Sequence, residues 1–405
     1  MTPIVAMLWG CSGQGPGGDS QTPDALPEGF ESLGVQTCAA PAAAGWSVQH
    51  SGFQRGPDDS PVRDVATLVH DLDGDGDQDA MFSYAQLGHD PQTDVYLFDG
   101  VWAHSETLAS GGALSLVDLD GDTALEVVFA MPPSIWERGE RSLLDLGLGR
   151  VQDVAWLDLD DDGRPDMVAG LAQGDDHILH NSPDGGLLPW VTLEGTKAFD
   201  LVVFDADGDH DDDIYVVNDR GPQFGPNVLW TNVDGDLTNE DSEAGVTVEG
   251  MSADAGDFDN DGDLDLYLAN TGHNMLLSNV GEGAWVDVTA ASHADPLGTA
   301  EADMAWNAVW LDADNDGWLD VLVARGDLPE TPFVGNVVLL LQEDGVFTAR
   351  PFGEGSYRAV VPFDHNGDGV LDWIATPAVE APELWVSDGC TANGWLAFDV
   401  PNGSA

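Results

Sequence analysis

The chain has 405 residues, 42% of them hydrophobic, enough for a packed core and for either two or three ordinary domains or one long all-β domain. Its 74 acidic residues stand against 11 basic ones, a formal net charge of −63, and so negative a surface repels nucleic acid and anionic lipid headgroups, which excludes both as partners. Acidic composition can bring disorder, but 14 Trp and 14 Phe argue for a folded chain.

In chain order, the first predicted element is a short apolar run over residues 4–10 that ends at Cys11. Leu8-Trp9-Gly10-Cys11 resembles a bacterial lipobox, with Leu at −3 and Gly at −1, although Trp at −2 is unusual and no Lys or Arg precedes the run. Residues 1–11 are therefore expected to be a signal segment with Cys11 as the lipidation site, 12–44 a flexible Gly/Pro/Ala-rich tether, and 45–405 the folded part. No later stretch is long and apolar enough to span a bilayer. The expectation is an exported protein, an outer-membrane lipoprotein or a cell-surface or extracellular one, that meets a membrane only through its anchor.

From residue 71 onward one nine-residue pattern occurs seven times. The copies begin at Asp71 (DLDGDGDQD), Asp118 (DLDGDTALE), Asp158 (DLDDDGRPD), Asp205 (DADGDHDDD), Asp257 (DFDNDGDLD), Asp312 (DADNDGWLD) and Asp364 (DHNGDGVLD), with starts 40 to 55 residues apart. Alternate residues of a tight loop turn to one side, so the acids at positions 1, 3, 5 and 9 converge, and only a hard cation such as Ca²⁺, with its 6–8 oxygen ligands, holds that much negative charge together. The predicted side-chain ligands are Asp71, Asp73, Asp75 and Asp79, then Asp118, Asp120, Asp122 and Glu126, then Asp158, Asp160, Asp162 and Asp166. They continue with Asp205, Asp207, Asp209 and Asp213, then Asp257, Asp259, Asp261 and Asp265. The last two sets are Asp312, Asp314, Asp316 and Asp320, and Asp364, Asn366, Asp368 and Asp372.

Position 7 varies freely, as Asp77, Ala124, Arg164, Asp211, Asp263, Trp318 and Val370. A site that accepts Arg, Trp and Val does not ligate through side chains, and the backbone carbonyl is the expected donor there. Position 6 is Gly except at Thr123 and His210, so the second and fourth loops are expected to be strained or adjusted.

Each loop is preceded by a β-type run, such as 65–69, 113–117 or 199–204, and followed by another, such as 80–84, 214–217 or 321–324. Third and fourth runs follow, as at 95–98 with 101–104 and 336–341 with 346–348. Four short strands per 40–55 residues is the arithmetic of a propeller blade, and no segment shows a capped 3.6-residue period. The prediction is an all-β, seven-bladed β-propeller with almost no helix. Closing the ring brings the chain ends together: 45–50 and 395–400 are expected to complete one blade, and Cys38 and Cys390 to form a disulfide that clasps it.

These repeats resemble the FG-GAP/VCBS repeat proteins, which include the integrin α-subunit head, and residues 227–235, 243–246 and 256–270 look most like bacterial relatives of cartilage acidic protein. The resemblance covers about residues 45–400. It implies that the calcium loops join the first and second strands of each blade on the lower face, with up to seven Ca²⁺ held by positions 1, 3, 5 and 9 and the carbonyl of 7. Family members range from adhesion and sugar binding to enzymes, so the resemblance fixes architecture better than activity, and because a site repeated in every blade reads as architecture, the specific function is expected on the opposite face.

On that face the predicted connections are 85–93, 131–141, 218–226 and 325–335, and ten of the 11 bases are read as falling towards it, Arg164 alone lying in a calcium loop. Trp136, Arg138, Arg220, Phe224 and Arg325 are the candidate contacts for a protein or glycan ligand. Arg325-Gly326-Asp327 also matches a tripeptide that integrins read. No HExxH, CxxCH, G-x-S-x-G, P-loop or dinucleotide fingerprint stands in suitable context, so no catalytic set is assigned. The reading is an exported, monomeric calcium-binding module for binding or adhesion; the alternative is a polysaccharide lyase or hydrolase on the same scaffold.

Overall fold

The computed structural model describes residues 46–387 apart from 50, 55–63, 86–89, 138, 184–185, 196, 220, 240–243, 245, 282, 296–303 and 327–334. Its 28 strands form seven four-stranded antiparallel sheets. Blade one runs Asp64–His70, Asp79–Ala85, Gln92–Phe98 and Trp102–Leu108, each strand pairing with the next. The first strands of blades two to seven are Gly111–Val117, Val151–Leu157, Ala198–Phe204, Gly250–Gly256, Ala305–Leu311 and Tyr357–Phe363. Each first strand touches the first strands of both neighbouring blades, so these seven strands form the inner ring. The only helices among the described residues are the four-residue turns Gly221–Phe224 and Thr289–Ser292.

Burial follows from this stacking. Second strands lie in the middle of each sheet and are covered on both faces by neighbouring blades, so Asp79–Ala85, Asp166–Leu171 and Asp265–Asn270 are buried throughout. Such strands read as continuous apolar runs rather than as alternation. Outer strands such as Glu140–Leu143 are exposed along their length. The core is a set of clusters between blades; in one, Leu311, Leu322 and Leu339 of blade six meet Val360 and Trp373 of blade seven.

The N-terminal strand Trp46–Gln49 pairs antiparallel with Glu383–Ser387 and supplies the fourth strand of blade seven. Trp46 fixes this closure: its Nε1 donates to the Leu371 carbonyl at 2.8 Å, and its ring packs 5.0 Å from Trp373 and 5.9 Å from Phe352. One half of the expected completion therefore forms as read. The other half, 395–400, lies outside the described residues, as do the signal segment, Cys11, the tether, Cys38 and Cys390.

A second set of bonds joins the blades through side chains of the first strands. Asp153 Oδ2 accepts the N–H of Leu201 at 2.9 Å, Asp200 Oδ2 that of Ala253 at 2.9 Å, and Asp254 Oδ2 that of Trp310 at 2.8 Å. Ser252 and Asn307 continue the series to Ala308 and Val360, and the Thr67 and Thr376 hydroxyls meet at 2.8 Å across the last seam. Asp153 and Asp200 also hydrogen-bond to each other, which two ionised carboxylates cannot do; burial raises both, Asp153 to about 6. No sequence spacing marks this pair, because it forms only when blades three and four meet.

Candidate metal centres

Each acidic loop leaves the end of a first strand and enters the start of a second, and the same hydrogen bonds recur in all seven. The position-1 Asp accepts the N–H of position 6, at 3.0 Å for Asp71 and Gly76, 3.1 Å for Asp257 and Gly262, and 2.8 Å for Asp364 and Gly369. The other four loops do the same. The position-5 Asp accepts the N–H of position 7 in every loop. These bonds curl the chain around its own carboxylates. Ligand atoms of Asp71, Asp73 and Asp79 lie within 4.8 Å of one another, as do those of Asp118, Asp120 and Asp122, those of Asp158, Asp160 and Asp166, and those of Asp205, Asp207 and Asp213.

Position 9 has a second duty that spacing does not reveal. It opens the buried second strand, and one of its oxygens accepts the N–H of loop position 2: Asp79 from Leu72 at 2.8 Å, Asp265 from Phe258 at 2.8 Å, Asp372 from His365 at 3.1 Å. The other oxygen accepts an N–H from the end of the third strand, as from Phe98, Asn279 and Ser387. Burial pushes these carboxyls up, Asp320 to about 8, Asp265 and Asp372 to about 7 and Asp213 to about 6, while the backbone N–H bonds pull the other way. Glu126 is the exception. Its Oε2 accepts Leu119 N–H at 2.7 Å, but its Oε1 is buried with no hydrogen-bond partner, and its carboxyl rises to about 7. In loop five Asp259 Oδ1 is likewise buried without a partner.

The backbone explains the loop sequence at two positions. Position 6 has positive φ in all seven, from 79° to 100° at the five glycines, 74° at Thr123 and 79° at His210, so those two side chains do stand in a strained conformation. Position 4 is left-handed as well: Gly74, Gly121, Gly208 and Gly367 there are matched by Asp161, Asn260 and Asn315 at φ 54°, 60° and 55°. The restriction of position 4 to Gly, Asn and Asp is the sequence signal for this turn. Two of these residues also tie neighbouring loops together, Asn260 Nδ2 donating to the Gly317 carbonyl at 3.3 Å and Asn315 Nδ2 to that of Gly369 at 2.8 Å. Amides ending the third strands add similar ties, Asn181 to Leu119 O and Asn279 to Ala206 O.

Loop three carries its own cation. The Arg164 guanidinium pairs with the Asp162 carboxylate and donates from Nε to the Asn181 carbonyl at 2.9 Å. His180 Nδ1 stands 3.1 Å from Asp166 Oδ1 and 3.7 Å from Asp160 Oδ2. Position 7 thus contributes a side chain here, although as a competitor for the carboxylates rather than as a ligand.

The opposite face needs three corrections. Trp136 is a core residue, packed with Met81, Val95 and Phe129 between blades one and two, so it offers nothing to a ligand. The stretch 131–141 is not a loop: Pro133–Glu137 and Glu140–Leu143 are the outer strands of blade two, reached by a tight turn. Arg350 belongs to the outer strand Val346–Phe352, opposite Leu339, rather than to a first-strand start, and its charge acts on Asp314. Arg325 Nη1 donates to Asn336 Oδ1 at 3.0 Å, and the next residue, Gly326, donates its N–H to the Met304 carbonyl. Arg138, Arg220, Asp327 and the Phe224 side chain lie outside the described residues.

The family model for FG-GAP-like repeats matches residues 158–216, 205–268 and 257–323, each match running from one acidic loop to the strand after the next. The chain is a seven-bladed propeller that carries FG-GAP-like repeats over residues 158–323. Among curated protein sequences none matches it. Among solved structures the propeller is similar to "BBS1N in complex with ARL6DN", at 11% identity and a TM-score of 0.55, over 84% of this chain and 96% of that one. It is also similar to an Agrocybe aegerita lectin described as recognising non-reducing terminal N-acetylglucosamine, at 16% identity and a TM-score of 0.47, over 84% of this chain and 91% of that one. At these identities the likeness is one of fold alone.

Proposed function

We propose that this FG-GAP-repeat propeller is an exported binding or adhesion module whose loops hold up to seven Ca²⁺, and that its protein or glycan ligand docks on the face opposite them. The observation that carries the reading is the recurrence of one oxygen donor pattern in seven loops, with carboxylate oxygens drawn to within 4.8 Å of one another in loops one to four. A hard cation fits this set because every donor is a carboxylate, an amide oxygen or a carbonyl, and because buried Asp259 Oδ1 has no other partner. Positions 1, 3, 5 and 9 would ligate through side chains and position 7 through its carbonyl. Ca²⁺ would supply charge neutralisation between strands one and two of each blade.

Extracellular calcium modules bind at about 10⁻⁴–10⁻³ M. At tenfold excess each site would contribute about 1.4 kcal/mol, and seven would contribute about 10 kcal/mol, comparable to the whole stability of a typical domain. The ion is thus architectural in this reading, and melting in EDTA should fall by about 10–15 °C relative to melting in millimolar calcium. A melting temperature indifferent to EDTA would refute the calcium assignment. The binding role is tested by a glycan array run with calcium, followed by a cleavage assay on each hit. Binding with the polysaccharide left intact supports a module; shortened or unsaturated sugars would make the protein an enzyme.

A further inference from the structure

On the face away from the acidic loops, blade five carries an open cavity of about 610 Å³ lined by His273, Asn274, Asp287, Thr289, His293 and Asp295. One wall is the connection between the second and third strands, Asp265–Asn270 and Met275–Asn279; the other is the turn Thr289–Ser292 and the residues after it. A buried frame fixes both walls. Tyr267 Oη donates to the Ala294 carbonyl at 2.8 Å, Asn274 Nδ2 donates to Tyr267 Oη at 3.1 Å, and Asn274 Oδ1 accepts the N–H of Asn270 at 3.1 Å.

Blade four contains the same frame and serves as an internal control. There Tyr215 Oη donates to the Ala244 carbonyl at 2.8 Å, Asn227 Nδ2 to Tyr215 Oη at 3.1 Å, and Asn227 Oδ1 accepts from Asn218. In sequence, the residue before the framing amide is Pro226 in blade four and His273 in blade five. Flanking the framing alanine are Glu243 and Gly245 in blade four, and His293 and Asp295 in blade five. The frame therefore does not require two imidazoles and a carboxylate, and their presence in blade five calls for another role.

Their chemistry indicates one. His273 Nδ1 lies 2.6 Å from Asp295 Oδ2. An ionised carboxylate only accepts, so Nδ1 carries the hydrogen, and in the neutral ring the Nε2 lone pair is the one left for a Lewis acid. A carboxylate behind the second ring nitrogen is the usual support of a metal-ligating histidine. His293 adds a second imidazole to the same cavity, and Asp287 adds a carboxylate whose Oδ1 is already occupied by the Thr289 N–H at 3.0 Å, leaving Oδ2. Imidazole donors favour Zn²⁺, Ni²⁺ and Cu²⁺, whereas carboxylate and carbonyl sets suit Ca²⁺.

We propose that the blade-five cavity is a site for a zinc-class divalent transition metal, ligated by His273 Nε2, the His293 imidazole and the Asp287 carboxylate, with Asp295 as the residue that positions His273. The site is independent of the calcium reading, since its donors differ in kind and lie on the other face. With three protein donors the ion keeps an open position, which a carboxylate or imidazole of an incoming partner would fill.

The test is a titration of the tag-free chain with Zn²⁺ by calorimetry, and with Co²⁺ followed by its visible absorption, both in calcium excess to mask the acidic loops. One equivalent should bind. His273→Ala should weaken it by about 100-fold or more, and Asp295→Ala by about 10- to 100-fold, the range typical of lost carboxylate support behind a ligating histidine. His273 and His293 are exposed, so the variants should melt with the wild type in calcium, which separates loss of the site from loss of the fold. Unchanged stoichiometry and affinity in the His273→Ala and His293→Ala chains would overturn the proposal, as would no binding by the wild type. Because Zn²⁺ is read by its own heat and Co²⁺ by its own absorption, the result stands whether or not melting proves calcium-dependent.

Discussion

The two faces of the ring obey different rules. On the loop face, the bond from position 6 to position 1, the bond from position 7 to position 5 and the bond from position 2 to position 9 occur in all seven blades, while the free side chains between them vary from Asp77 to Trp318. On the opposite face, among the described residues, only blades four and five share a frame, and the residues around it differ, Pro226 against His273. A bond repeated in every blade serves what all blades have in common, the joining of strands and the closing of the ring. A side chain found in one blade is free to serve a ligand. Recognition should therefore be sought where the repeat breaks.

The strongest way to break this contrast is within one loop. Asp79 is buried and accepts two backbone N–H groups, whereas Asp77 is exposed and offers at most its carbonyl. Asp79→Ala should cost about 3 kcal/mol or more by stranding buried donors, while Asp77→Ala should stay within about 0.5 kcal/mol. Equal costs in chemical denaturation would show that the loop is not built as described.

Next in size is the inner ring. Burial raises Asp153 to about 6 and holds Asp200 well above its ordinary value, so the folded state holds protons that the unfolded chain releases near pH 4. Their stabilisation is full below about pH 4 and is lost as pH rises through the folded values. In saturating calcium, Asp200→Asn, which keeps an acceptor for Ala253 and can donate to Asp153, should remove on the order of 2–3 kcal/mol of that decline. A decline of the same slope in the variant would place the titrating groups elsewhere.

Backbone strain comes third. Thr123→Gly at φ 74° should stabilise the chain by about 1 kcal/mol, and Gly262→Ala at φ 100° should destabilise it by a similar amount, as read from urea midpoints. The smallest effect concerns loop three, where Arg164→Ala frees the Asp162 carboxylate. Its calcium affinity should rise by a few-fold, in keeping with the modest worth of a partly exposed ion pair. A fall would mean that the guanidinium supports the loop rather than competing with the ion.

Much of the loop face was legible in the sequence, because a tight turn is local: Asp71 to Asp79 carries its own spacing, and Gly or its absence at position 6 announces positive φ. The closing strand at Trp46–Gln49 was legible because a ring of seven must close. Bonds between blades were not. Asp153 with Asp200 and Asn315 with Gly369 join residues 47 and 54 apart, and nothing in a linear pattern selects those partners. Trp136 looked like a surface aromatic because its stretch resembled a loop; the tight turn after the second strand of blade two instead makes it a strand residue between two blades. Arg350 was placed near a first-strand start for the same reason, its outer strand Val346–Phe352 running longer than its apolar pattern suggested.

The central claim is that the repeated loops are metal fasteners. Calcium bound per chain, counted by native mass spectrometry or equilibrium dialysis, tests it most directly. The account predicts up to seven ions, with Thr123 and His210 marking the two loops that fill last. A chain that stays folded with one ion or none at millimolar calcium would contradict it.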